Sequence, residues 1–150
     1  MDENIIRLEL EEVLETGKQT LHSLYSAQIK LNSAKNWKIL DKFNGTFFTN
    51  MMKYSKKEEA REHLELARQD VQKFQRRIRA AKLPKEIKME MGAFVAFSAF
   101  FLDGPIADYV LCAGMEDAAE QINDAILLVE QILQILPSRG GALKISYVGY

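Results

Sequence analysis

The sequence is poor in the residues that build covalent, metal and phosphate-binding sites. Its 150 residues include one cysteine, two histidines and three prolines. Cys112 has no partner for an internal disulfide, which fits a reducing compartment. Neither histidine belongs to the Glu-x-x-His pair of di-metal helical bundles, and no glycine-rich phosphate loop or Cys-x-x-Cys pair is present. We therefore expect no metal ion, no other cofactor and no disulfide framework.

Long apolar runs are also missing. The longest strongly apolar stretch runs from Met91 to Leu102, about 12 residues, whereas a bilayer span needs about 20. The first residues lack the basic and apolar segments of a secretory signal. We expect a cytoplasmic, soluble protein with no membrane span.

What the sequence does contain is one hydrophobic rhythm, repeated three times. Spacings of four and three residues keep one face of a helix turned to a partner. The middle copy is Ala60, Leu64, Ala67, Val71, Phe74, Ile78 and Ala81. An earlier copy is Leu10, Leu14, Gly17, Leu21, Leu24, Gln28 and Leu31, and a later one is Leu111, Met115, Ala118, Ile122, Ala125, Val129, Ile132 and Leu136. The pattern predicts an all-α, antiparallel bundle of three long helices with coiled-coil-like packing.

Local signals set the expected boundaries within one domain of residues 1–150. We expect the first helix to run from about Asp2 to Phe43. The capping-box pattern Ser55–Glu58 predicts the start of the second, and Pro137 with Gly140–Gly141 predicts the end of the third, leaving 138–150 as a flexible tail. Residues 86–102 are expected to form a short fourth element, a buried helix. Alternation within 86–91 and 143–147 also allows two strands there.

Charge is unevenly distributed along the chain. The net charge is −3 over residues 1–34, +8 over 35–88 and −6 over 89–150. The basic residues at the end of the second helix form a candidate anion patch: Lys73, Arg76, Arg77, Arg79, Lys82, Lys85 and Lys88. Such a patch fits phosphate or nucleic-acid binding. The same cations also complement the helix dipole and acidic neighbours, which requires no ligand.

One enzyme motif is present only in part. Glu11-Glu12-Val13-Leu14-Glu15 matches the first half of the magnesium site of helical nucleotide pyrophosphohydrolases. The second half, Glu-x-x-Asp, does not follow, so these carboxylates lack the partners that would enclose a hydrated magnesium ion. We interpret them as a solvated acidic face, and expect a non-enzymatic protein with no catalytic residues.

Two segments carry a resemblance to a known family. The first is Ser33-Ala34-Lys35-Asn36-Trp37 with Asp41, Gly45, Lys53-Tyr54-Ser55-Lys56 and Ala60; the second is Phe97 to Gly104, followed by Asp108-Tyr109. Over about residues 10–136 the chain resembles a family of uncharacterised small helical proteins from Gram-positive bacteria, which has no established activity to transfer. The chain departs from the family at Ala99, where an aspartate is usual, and at Tyr109, where tryptophan is usual.

The resemblance points to one end of the bundle. Its polar and aromatic residues there are Trp37, Asp41, Lys53, Asp103 and Asp108. They either line a site for a small ligand or an enzyme reaction, or act structurally through packing, helix capping and ion pairing.

The sequence-based hypothesis for function is a module that binds another protein or itself, with a homodimer expected. Its basis is that three long apolar seams leave edges that a single layer of helices does not cover. Anion or nucleic-acid binding through the basic patch, and a ligand site at the Trp37 end, are the alternatives.

Overall fold

The fold is helical throughout the part of the chain that the structure describes. The computed structural model describes the backbone of residues 3–44, 47–103 and 115–148, and the side chains of residues 3–34, 55–99 and 118–136. Its helices are α1 (Glu3–Asn44), α2 (Phe47–Ala80), α3 (Lys85–Glu90), α4 (Gly92–Asp103) and α5 (Met115–Val148). These described ranges contain no strand. The predicted fold, three long helices and a short fourth element, is confirmed.

Helix α1 packs along both other long helices and runs antiparallel to each. Its early residue Glu9 meets Arg77 late in α2, and its later residue Lys30 meets Glu59 early in α2. Helix α4 contacts α2 and α5, and the ring of Phe94 lies 5.1 Å from that of Phe74. The short helix therefore fills the fourth corner of the bundle, opposite α1.

The predicted seam of α2 is the core of the molecule. All seven of its residues, Ala60 to Ala81, have exposed fractions of 2% or less. The described members of the α5 seam are equally buried. Alternation of alanine with larger side chains lets the neighbouring helices interdigitate at close range.

On α1 the buried stripe overlaps the predicted one, since the seam residues Leu10, Gly17, Leu24 and Leu31 are buried. Val13, Thr20, Ala27 and Ala34 are fully buried, whereas Leu14, Leu21 and Gln28 are only half-buried. Two helices pack against α1, so its buried face is broad, and its centre falls between those two contacts. The prediction identified the face correctly but placed its centre about one residue off.

One predicted local feature is wrong, and one open alternative is decided. Helix α2 already begins at Phe47, so Ser55 is an exposed residue inside the helix instead of its cap. Residues 85–90 are helical and no strand forms there. Ile87 and Met91 are buried, whereas Met89 is 69% exposed. In a strand these three would share one face; four-residue spacing puts only Ile87 and Met91 together on a helix.

The C-terminal boundary is also different from the prediction. Helix α5 continues through Pro137 to Val148, so residues 143–147 are helical and most of 138–150 is not the predicted tail. A proline removes one backbone hydrogen bond, and a helix can continue on both sides of it. The predicted start of this helix, near Pro105, lies outside the described residues.

Candidate interaction surfaces

The candidate ligand site at the end of the bundle cannot be assembled from the described residues. The backbones of Trp37, Asp41, Lys53 and Asp103 lie in helices, but their side chains fall outside the described side chains, and Asp108 falls outside the described backbone. The ligand-site hypothesis for this end therefore stays a prediction.

The basic patch divides into engaged and exposed members. The Arg77 guanidinium pairs with Glu12 and, at 3.3 Å, with Glu9 of α1. Lys88 Nζ donates to the Arg79 carbonyl at 3.2 Å, closing the end of α2. The side chains of Lys73, Arg76, Arg79, Lys82 and Lys85 are exposed. Two of the seven cations therefore stabilise the bundle itself, and five side chains face solvent.

A shallow groove between α1 and α2 brings serine, histidine and aspartate together. It is lined by Lys18, Gln19, His22, Ser23 and Asp70. The Ser23 hydroxyl donates directly to Asp70 Oδ2. A hydrolytic triad needs the imidazole between the hydroxyl and the carboxylate. Here the aspartate itself accepts from the serine hydroxyl, so the order of groups is not that of a Ser-His-Asp triad.

Beneath this groove, one buried hydroxyl ties the two helices together. Thr20 Oγ1 lies 2.9 Å from the Thr16 carbonyl and 3.1 Å from the Asp70 carbonyl of α2. Thr20 is fully buried, so these acceptors satisfy a polar group that would otherwise be costly to bury. The contact is structural.

Farther along the same junction, the Glu59 carboxylate joins two lysines. Glu59 Oε2 lies 3.3 Å from Lys30 Nζ and 3.7 Å from Lys56 Nζ. The hydrogen bond from Lys30, followed by the charge of Lys56, lowers the pKa of Glu59. His63 Nδ1 lies 2.9 Å from the Glu59 carbonyl oxygen, which indicates a donating Nδ1–H. Nowhere in the described residues do three His, Cys, Asp or Glu side chains gather as metal ligands.

The outer face of the α1–α5 junction carries large apolar side chains in water. Tyr25 and Ile29 are one turn apart on α1 and are 41% and 64% exposed. Leu127 of α5 is 60% exposed. We call the surface formed by Tyr25, Ile29 and Leu127 the α1–α5 face.

Two hydrogen bonds fix the register of this face. Tyr25 Oη donates to Glu130 Oε1 at 2.7 Å, and Gln28 Nε2 donates to Asn123 Oδ1 at 2.6 Å. The bond to the Glu130 carboxylate raises the pKa of Tyr25. Asn123, Leu127 and Glu130 follow at four- and three-residue spacing, so they share one side of α5. Leu127 therefore lies on the side of α5 that meets Tyr25 and Gln28.

The sequence pattern did not single out this face. Ile126, Leu127 and Leu128 are three consecutive apolar residues outside the predicted seam, and only Leu127 lies opposite that seam at 100° per residue. In the structure Ile126 is 5% exposed and Leu128 half-buried. The signal that could have found Leu127 is its exclusion from the seam Ala125, Val129 and Ile132.

No family model, curated protein or solved structure matches the chain. The described helices include none that is long and apolar enough to cross a membrane. The resemblance to helical proteins of Gram-positive bacteria stays a prediction.

Proposed function

We propose that the protein is a non-enzymatic helical-bundle module that acts through protein–protein contact, and that its partner is a second copy of itself. The observation that carries the proposal is the exposure of Ile29 and Leu127 on adjacent long helices. Large apolar side chains that cluster on a polar surface favour burial against a partner. Isolated ones such as Leu66 do not carry this argument.

The two helices that carry the α1–α5 face are long enough for a stable contact. Two helices side by side present a strip about 20 Å wide, and a standard interface buries about 800 Å² on each partner. About 40 Å of this strip meets that requirement. Helix α5 contains 34 residues, equivalent to about 51 Å at 1.5 Å per residue.

The test is the molar mass in solution, measured by size-exclusion chromatography with light scattering over a concentration series. We expect a concentration-dependent dimer that Leu127→Asp converts to monomer. Leu66→Asp is the matched control, because Leu66 is 54% exposed but lies on α2, away from the α1–α5 face. A wild-type protein that stays monomeric at high micromolar concentration would contradict the proposal.

Binding of a polyanion is the second candidate function. The observation in its favour is that Lys73, Arg76, Arg79, Lys82 and Lys85 are exposed within thirteen residues of chain. Phe74, the one aromatic residue among them, is fully buried, so base stacking is not available at this surface. Contact with phosphates alone, weakened by salt and indifferent to sequence, is the expected mode.

A further inference from the structure

We infer that two copies associate around a two-fold axis at the height of Tyr25 and Leu127, with Lys18 of each copy facing Glu120 of the other. The inference rests on the proposed self-association and assigns its surface, its symmetry and its charge pairing. The geometry behind it is the register of α1 against α5.

Tyr25 and Leu127 lie at the same height along the bundle. Helices α1 and α5 are antiparallel, so a step up one is a step down the other. Tyr25 is bonded to Glu130 and Gln28 to Asn123. Leu127 lies between those two α5 residues in the chain. Its position along the bundle axis is therefore close to that of Tyr25 and slightly before that of Gln28.

Lys18 and Glu120 lie symmetrically about this height. Lys18 precedes Tyr25 by seven residues, and Glu120 precedes Leu127 by seven. Seven residues are about two helical turns, so each charge lies within about 20° of its neighbour's direction and about 10 Å away along the axis. Lys18 stands at the outer edge of α1, where it also borders the α1–α2 groove. Because the helices are antiparallel, the two charges lie on opposite sides of the Tyr25–Leu127 height. Both side chains are exposed.

Consider a two-fold axis that lies between the α1–α5 faces of the two copies and runs perpendicular to the helices. This axis exchanges positions above the Tyr25–Leu127 height in one copy with positions below it in the other. It places Tyr25 against Tyr25 and Leu127 against Leu127 of the second copy, since residues on the axis meet themselves. It brings Lys18 of one copy to the height of Glu120 of the other, on the neighbouring helix. One apolar centre and two identical ion pairs result.

The charge pattern of the two helices favours a second copy over another partner. Residues 16–34 of α1 contain two basic residues and no acidic one; Lys30 pairs with Glu59 of α2, so Lys18 is the exposed cation of this stretch. Residues 118–136 of α5 contain the exposed carboxylates Glu120 and Asp124, together with Glu130, and no basic residue. Each copy therefore presents both halves of a complementary pair. Oppositely charged surfaces fix register and exclude mismatched partners.

A charge swap tests the pairing. Lys18→Glu and Glu120→Lys are each expected to weaken the dimer about tenfold, because each turns two attractive pairs into repulsive ones. The double variant Lys18→Glu/Glu120→Lys is expected to return to within about threefold of wild type. Dimer dissociation constants are measured by sedimentation equilibrium. Single variants without effect, or a double variant as weak as the singles, would overturn the assignment.

Cross-linking tests the symmetry independently. In a Cys112→Ser background, a cysteine introduced by Leu127→Cys lies beside its own copy on the axis, and mild oxidation should link most of the protein into a disulfide dimer. The comparably exposed Leu66→Cys is the control and should remain monomeric on a non-reducing gel. Equal cross-linking at the two positions would overturn the two-fold arrangement.

The outcomes separate this inference from the proposed function. A monomeric wild-type protein contradicts self-association altogether. The other outcome is a wild-type dimer whose dissociation constant does not change with the charge swap and which does not cross-link through Leu127→Cys. That result would support the proposed function but contradict this surface.

Discussion

Gly17 of α1 and Leu133 of α5 lie in direct contact across the bundle. A Cβ built on Gly17 stands 2.9 Å from Leu133 Cδ2, and 3.0 Å from the tip of the Phe74 ring of α2. The three long helices therefore meet at Gly17, the one residue of the buried stripe of α1 that has no side chain.

Gly17→Ala is expected to destabilise the protein by about 1 kcal/mol. Alanine improves helix propensity by about 1 kcal/mol, but overpacking a core costs about 1–3 kcal/mol. Phe74 is fully buried and has little room to move. Chemical denaturation measures the difference.

The matched control is Gly92→Ala at the start of α4, where a new Cβ meets nothing within 4 Å. This variant should lose no more than about 0.5 kcal/mol of unfolding free energy relative to wild type. The new methyl group causes no clash, and alanine is favoured over glycine in a helix. A Gly17→Ala protein more stable than wild type would show that the close approach is not tight.

Thr20→Val is expected to cost about 1 kcal/mol of unfolding free energy. Valine keeps the shape of threonine but removes the buried hydrogen bond to the carbonyls of Thr16 and Asp70. Thr16→Val removes a similar bond to the Glu12 carbonyl in an exposed position. There water replaces the lost partner, and the change should stay within about 0.5 kcal/mol. Equal losses in the two variants would refute a role for Thr20 in joining α1 to α2.

Glu59→Gln is expected to destabilise the protein at neutral pH but not in acid. Lys30 and Lys56 lower the pKa of Glu59 from its ordinary value of 4.5. A carboxyl whose pKa is lower in the folded state adds stability above its unfolded pKa, and that stability disappears as the pH falls through the folded pKa. The wild-type advantage should therefore be present at pH 7 and absent well below pH 4.5.

Denaturant unfolding at the two pH values checks this dependence. Glu62→Gln, at an exposed glutamate of the same helix, is the control and should show little difference at either pH. Added salt should reduce the Glu59 effect at pH 7, because exposed ion pairs are screened. An effect of Glu59→Gln that persists unchanged in acid would contradict the ion-pair explanation.

Arg76→Glu/Lys82→Glu tests the polyanion candidate. If the patch binds phosphates, the affinity for generic duplex DNA should fall steeply with salt, and the double variant should lower the salt slope by about 2. Fluorescence anisotropy of labelled DNA measures both. Lys57→Glu, on the other half of α2, is the control for general charge effects. Wild-type protein that fails to bind at low salt would exclude this function.

The helical core was predictable because burial and helical period coincide. Every residue from Ala60 to Ala81 in the seam is buried, since a single side of α2 faces the core. On α1 the same method found Leu10, Gly17, Leu24 and Leu31 but chose Leu14, Leu21 and Gln28 over the adjacent buried row. Both rows have the same spacing, and which one is buried depends on where the contacts with α2 and α5 fall.

The wrong helix start at Ser55 and the open alternative over residues 86–91 both arose from short local signals. The Ser55–Glu58 pattern can cap a helix, but it also fits within one that has already begun at Phe47. Alternation over residues 86–91 is too short to separate a period of two from the four-residue spacing of Ile87 and Met91. In both segments the helix forms despite the competing local signal.

The α1–α5 face lay beyond sequence reasoning for another reason. Its residues are brought together by the register of two helices about one hundred positions apart in the chain. That register depends on pairs such as Tyr25 with Glu130, which no local pattern encodes.

The length of α1 affects how the molecule behaves on a sizing column. Its 42 residues span about 63 Å. A globular chain of 150 residues has a radius of gyration of about 15 Å, which corresponds to a sphere only about 38 Å across. A particle this elongated has a larger Stokes radius than a sphere of equal mass, and it elutes early even when alone. Elution volume would thus overstate the mass of a monomer, and scattering intensity is the quantity that distinguishes one rod from two.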